Sequence, residues 1–117
     1  MIGIIGAMDE EILELKKIID IYEERHILGV TFYIGDLNNK QVILVKSKIG
    51  KVASAYVASL LVNNFKIDYI INIGTCGACH KKLKYLDIVI GSKILYHDVD
   101  VTAFGYKYGQ MAQSPEY

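Results

Sequence analysis

The sequence predicts an α/β domain in which a mixed β-sheet is flanked by helices. Three observations carry that expectation. Residues 2–5, 41–45 and 67–73 are short apolar runs rich in Ile and Val, with the length and composition of buried strands. Between them, residues 9–21 and 51–64 show apolar residues at helical spacing. Asn38-Asn39-Lys40 separates two strand-like runs, and Asn tolerates a positive φ, so a hairpin brings antiparallel strands into an otherwise alternating order. The resulting order, βα-ββ-α-β-β, argues for a mixed sheet.

Strand one covers residues 1–5. Gly6 and Ala7 then remove side-chain bulk where the backbone turns. Asp9, Glu10 and Glu11 fall in the first turn of helix one, which runs to about residue 21 with Ile12, Leu15, Ile19 and Tyr22 as its buried stripe. Acidic side chains at a helix N-terminus complement the helix dipole, and that accounts for two of the three. Ligands of open α/β sheets bind beyond the carboxyl ends of strands, so the third, Glu11, is a candidate to face a pocket. Glu23 to His26 reads as a polar end to the helix.

Val30–Leu37 and residues 41–45 are the hairpin strands, the second apolar enough to be buried on both faces. Gly50 precedes helix two, Lys51–Asn64. That helix is apolar nearly all round, which predicts a helix sandwiched between the sheet and something else. Residues 67–73 form the next strand, followed by the small-residue turn Gly74-Thr75-Cys76-Gly77-Ala78, where a ligand can approach the backbone. Residues 87–95 read as a long strand, and beyond Gly105 the pattern dissolves.

Composition narrows the function. With 117 residues the chain makes one small domain, yet 52% of it is hydrophobic and its mean hydropathy is +0.26. A domain of this size buries roughly two thirds of its unfolded surface, so apolar surface is left over for a partner subunit or for further chain. Thirteen basic and thirteen acidic side chains cancel, which argues against a nucleic-acid partner. No apolar run approaches a membrane span, and the N-terminal stretch turns acidic at Asp9 without a basic leader, so a cytoplasmic protein is expected.

Two motifs invite chemistry that their surroundings do not support. Gly3-x-x-Gly6 lacks the third glycine of a dinucleotide fingerprint and reads as a tight strand-to-helix turn. Cys76-Gly77-Ala78-Cys79-His80 matches redox and haem-attachment spacings. A redox cysteine belongs at a helix start, whereas a lysine-rich loop follows here. The motif reads as small residues lining a ligand turn, with no metal site. His97, between Tyr96 and Asp98, reads as a hydrogen-bonded structural residue.

Three segments carry a resemblance to a known family. Gly3-Ile-Ile-Gly-Ala-Met-Asp-Glu-Glu11, Lys46-Ser-Lys-Ile-Gly-Lys-Val-Ala53 and Tyr96-His-Asp-Val-Asp-Val-Thr-Ala-Phe-Gly-Tyr106 resemble the bacterial 5′-methylthioadenosine/S-adenosylhomocysteine nucleosidases, and Ile70-Ile-Asn-Ile-Gly74 fits the same family. The resemblance implies a phosphorylase/nucleosidase-like fold and an enzyme that hydrolyses an N-glycosidic bond, releasing adenine and a 5-thioribose sugar. It implies no cofactor, a small-molecule nucleoside substrate and a homodimer. It makes Glu11 the carboxylate that positions and activates water, and places the Thr75 hydroxyl beside that water. Met8 and Ile49 line the sugar and alkylthio side, and Cys76 and Gly77 belong to the substrate-lining turn. Val101 and Phe104 reach into the neighbouring subunit's pocket. The chemistry suits the residue types: a carboxylate near the anomeric carbon stabilises an oxocarbenium-like state and takes the proton of water.

This chain departs from the family in three places. The turn Ser-Ala-Gly-Gly is Thr75-Cys-Gly-Ala78 here, and the loop Ser-Gly-Ile-Gly carries Lys48 in its second position, a charge at the pocket rim. The family's enzymes are about twice this length, with the general acid, the adenine-binding residues and the ribose-gripping glutamate in the second half. Residues 1–117 are therefore expected to be the N-terminal part of a single nucleosidase domain, truncated relative to the family. Two other readings stand beside the enzyme: a non-catalytic chain that keeps the core and the dimer surface, and a phosphate-dependent purine nucleoside phosphorylase relative.

Overall fold

A computed structural model describes residues 1–117. The chain divides into two compact units, Met1–Gly77 and Ala78–Tyr117. The first contains β1 (Ile2–Gly6), α1 (Asp9–Ile18), β2 (Asp20–Ile27), β3 (Val30–Leu37), β4 (Lys40–Lys46), α2 (Lys51–Asn64) and β5 (Tyr69–Ile73). Its five strands make one sheet in the order β2-β3-β4-β1-β5. β1 is parallel to β4 and β5, while β3 pairs antiparallel with β4 and β2 with β3. The mixed α/β sheet expected from the sequence is the one found.

Strand alternation sorts the core into two layers, because successive side chains point to opposite faces. Ile5, Phe32, Ile34, Ile43 and Val45 pack on one face with Val57 and Leu61 of α2. Ile4, Val42 and Leu44 pack on the other with Ile12 of α1 and Ile19. The unbroken apolar run of β4 thus serves two helices at once, and Val42 to Val45 are all buried. The ion pair between the Met1 ammonium and Asp68, at 2.6 Å, ties the start of the chain to the approach of β5.

The structure corrects three expectations. Helix one ends at Ile18, and residues 20–27 are a strand, β2. Ile19 already has extended angles, φ −79° and ψ 130°. The chain then passes so close over β3 that a Cβ at Gly35 would stand 2.5 Å from the Asp20 carbonyl oxygen. Ile19, Tyr22 and the glutamates fit helical spacing, but pairing with β3 decides their conformation. The signal for it is Leu28-Gly29, with φ of 46° and 80°, a two-residue hairpin turn. The charges of Glu23, Glu24 and Arg25 suit an edge strand.

Helix α2 has the expected bounds. Val57 and Leu61 are buried against the sheet, and its outer residues Val52 and Val62 are exposed within this chain. The fifth strand begins at Tyr69, two residues later than expected, after a turn in which Ile67 donates to the Phe65 carbonyl.

Residues 87–95 form no strand. Ile88 and Ile90 are 94% and 93% exposed. An apolar run becomes a strand only when a neighbouring ladder satisfies its backbone, and these residues pair with none. The second unit is instead held by local bonds: Tyr96 N–H to the Gly109 carbonyl, Gly109 N–H to the Val99 carbonyl, and a Lys107–Glu116 ion pair at 2.7 Å. Its one helical turn is Thr102–Phe104.

Candidate functional site

Register brings the sequence-predicted segments of the first unit together. β1 pairs in parallel with β4 and β5 so that Gly6 lies opposite both Lys46 and Ile73. Three strands therefore end at one level. Their ends lead into Ala7-Met8, Ser47-Lys48-Ile49 and Gly74-Thr75, and the carboxyl edge of a parallel sheet is where ligands of such folds bind.

Glu11 sits at this edge in the first turn of α1. Its Oε2 accepts the N–H of Ala7 at 2.8 Å and of Met8 at 3.1 Å. Its Oε1 accepts the Thr75 N–H at 3.0 Å and the Thr75 hydroxyl at 3.3 Å. These four donors match the roughly four lone-pair positions of an ionised carboxylate. The Thr75 N–H is the largest influence holding the Glu11 carboxyl below the usual glutamate range; partial burial opposes it, and the Ala7 and Met8 N–H groups and the Thr75 hydroxyl add to it. Glu11 is therefore an anion fixed in place. Gly74 makes this possible, since a Cβ there would lie 2.7 Å from Oε1.

The β4 end is pinned to β1 by Ser47, whose N–H donates to the Gly6 carbonyl at 2.9 Å and whose hydroxyl donates to the Lys48 carbonyl at 2.9 Å. Lys46 reaches both carboxylate oxygens of Asp9 at 2.7 Å, closing β4 onto the start of α1. This pair is exposed and contributes at most about 1 kcal/mol. Between these segments lies a cleft of about 340 Å³ lined by Ala7, Met8, Asp9, Glu10, Lys46, Lys48 and Ile49. It shares Ala7 and Met8 with the carboxylate cradle. A larger hollow of about 600 Å³ lies against Leu28, Tyr33 and Tyr56, but none of the residues that hold Glu11 lines it.

Of the candidate residues, Glu11, Met8, Thr75 and Ile49 therefore gather at the carboxyl edge. Cys76 and Gly77 come next in an exposed stretch, and a Cβ at Gly77 would meet nothing within 4 Å. Val101 and Phe104 belong to the second unit, where Val101 is half-buried and Phe104 is 81% exposed. Sequence reasoning missed Ser47, the one buried polar side chain. Its signal is a lone hydroxyl at the end of an apolar strand.

The Phosphorylase superfamily model matches residues 1–117. The chain belongs to the phosphorylase superfamily. Among similar members is the 5′-methylthioadenosine/S-adenosylhomocysteine nucleosidase of Psychromonas ingrahamii, 53% identical over 114 residues, which cover 97% of this chain and 49% of that protein. Two solved nucleosidase structures superpose closely. That from Colwellia psychrerythraea, in complex with adenine, gives a TM-score of 0.94 at 43% identity over 98% of this chain and 48% of its own. That from S. pneumoniae, with the transition-state inhibitor MT-ImmA, gives 0.94 at 48% identity over 99% and 50%. The chain spans about half the length of the relatives it matches.

Proposed function

We propose that residues 1–117 supply the water-activating side of a nucleosidase that hydrolyses the N-glycosidic bond of 5′-methylthioadenosine and S-adenosylhomocysteine. The observation that carries this reading is the Glu11 carboxylate, held by three backbone N–H groups and the Thr75 hydroxyl at the carboxyl end of three parallel strands. A fixed anion there stabilises the positive charge that develops at the anomeric carbon. Its lone pairs are filled, so a water must displace one donor; the Thr75 hydroxyl, at 3.3 Å the longest of the four, is the donor that yields. Glu11 then orients that water and takes its proton as the bond breaks.

Met8 and Ile49 offer an apolar wall to the sugar and its thioether, and the turn at Thr75, Cys76 and Gly77 lies along the substrate. In the reading as a homodimer, Val101 and Phe104 complete the pocket of the neighbouring subunit. Exposed apolar groups on β5 and the outer side of α2, among them Ile70, Ile71, Val52 and Val62, support a further apolar contact. No helix is long and apolar enough to cross a membrane.

Protonation of the departing adenine contributes about 10²–10⁴-fold and requires an acid distinct from Glu11. The test is adenine release from 5′-methylthioadenosine, without and with phosphate, by this chain and by Glu11→Gln. Release that falls at least about 10²-fold in the variant supports the reading. Equal release by both removes Glu11 from the reaction. Release that depends on phosphate makes the protein a phosphorylase, and nucleoside binding without release makes this chain the non-catalytic form.

A further inference from the structure

We propose that Lys48 and Glu10 form a recognition pair for the α-amino-acid end of a thioether substituent, so that this site favours S-adenosylhomocysteine over 5′-methylthioadenosine. The inference rests on the nucleosidase reading and extends it to substrate preference.

The cleft beside Glu11 carries four charged side chains, Asp9, Glu10, Lys46 and Lys48, around an apolar wall of Met8 and Ile49. Asp9 and Lys46 neutralise each other at 2.7 Å. The uncommitted charges are therefore one cation and one anion, Lys48 and Glu10, both exposed on the same rim. An α-amino acid carries a carboxylate and an ammonium on one carbon, and an apolar linker that ends in that zwitterion matches an apolar wall rimmed by opposite charges. A methylthio group reaches only the wall and gains nothing from the rim.

The backbone at Lys48 is the second observation. Its φ is 66°, in the left-handed region that glycine adopts freely and lysine does not. Strained positions of this kind gather at ligand clamps and persist only where the surroundings hold them. Ser47 does so: it is buried, fastened to Gly6, and its hydroxyl holds the Lys48 carbonyl. The strained residue thus lines the cleft with its backbone held by a fixed neighbour, and it borders the larger hollow as well.

Calorimetric titration at low salt, in a Glu11→Gln background that suppresses hydrolysis, reads the affinity for both nucleosides. Lys48→Gln and Glu10→Gln are each expected to lower the ratio of S-adenosylhomocysteine to 5′-methylthioadenosine affinity about two- to fivefold, the range of an exposed ion pair. High salt shrinks the difference by screening. Lys48→Gly, which relieves the backbone, gives the same fall in the ratio. Both nucleosides bound with an unchanged ratio in every variant overturns the proposal and leaves the nucleosidase reading standing. Neither nucleoside bound by the unsubstituted rim, in a form that also carries the family's adenine-binding half, overturns both.

Discussion

Thr75 gives Glu11 two hydrogen bonds through one oxygen, its backbone N–H at 3.0 Å and its hydroxyl at 3.3 Å. The two residues stand 64 positions apart in the chain and meet because β1 and β5 are parallel neighbours in register. The backbone bond survives any side chain at position 75, whereas the hydroxyl bond does not. Thr75→Val should therefore raise the Glu11 carboxyl pKa, followed by carbon NMR of the labelled carboxyl, and cost about 0.5 kcal/mol, the low end for a hydrogen bond this exposed. Thr75→Ser should restore both. A carboxyl that titrates identically in Thr75→Val would refute the contact.

The lowered Glu11 pKa also sets a pH dependence. The folded-state value lies below that of the unfolded chain, so the stabilisation is complete at neutral pH. It begins to fade near the unfolded value of about 4.3 and is gone once pH falls through the folded one. Asp68 and Asp100 are lowered too, by the Met1 ammonium and by Thr102, and act in the same acid range. Urea unfolding of the protein and of Glu11→Gln between pH 7 and acid isolates the Glu11 share. The two stabilities should converge as pH drops, and a constant gap would contradict the assignment.

Gly74 tests how closely the carboxylate must be placed. A methyl group there would enter the space of Oε1 at 2.7 Å. Gly74→Ala should displace the carboxylate while sparing the helices, which far-ultraviolet dichroism checks. In a form that releases adenine, misplacement by about 1 Å predicts a loss on the order of 10²-fold. Undiminished release would mean that the carboxylate is not held where the reaction needs it.

Helix α2 predicts a one-sided response to truncation. Leu61 is fully buried against Ile5 and Phe32, and Leu61→Ala should cost about 2–5 kcal/mol in denaturant unfolding. Val62, its neighbour, is 52% exposed, and Val62→Ala should stay within about 0.5 kcal/mol. Comparable losses at both positions would show that the outer face of the helix is covered in solution.

Local pattern made much of this protein legible. Apolar runs and turn chemistry located β1, β3, β4 and α2, because each of those segments has a period or a breaker that its own residues impose. Glu11 was legible for the same reason: a carboxylate in the first turn after a buried strand lies at the edge where such folds bind ligands. The failures have one physical source. Residues 20–27 suit a helix locally and became a strand because β3 lay alongside, and residues 87–95 suit a strand and formed none because no ladder accepted them.

The class of the domain, the two faces of its central strands and the candidate carboxylate follow from the residues of each segment, since alternation and helical spacing are properties of a segment alone. Folding had to bring segments together before Thr75 could fasten Glu11, before Asp9 could neutralise Lys46 and leave Lys48 uncommitted, and before Gly74 had to be small. Those are contacts between segments 37 to 64 residues apart, and they depend on the parallel register of β1 with β4 and β5, which pairing across the sheet creates and no single stretch of chain encodes.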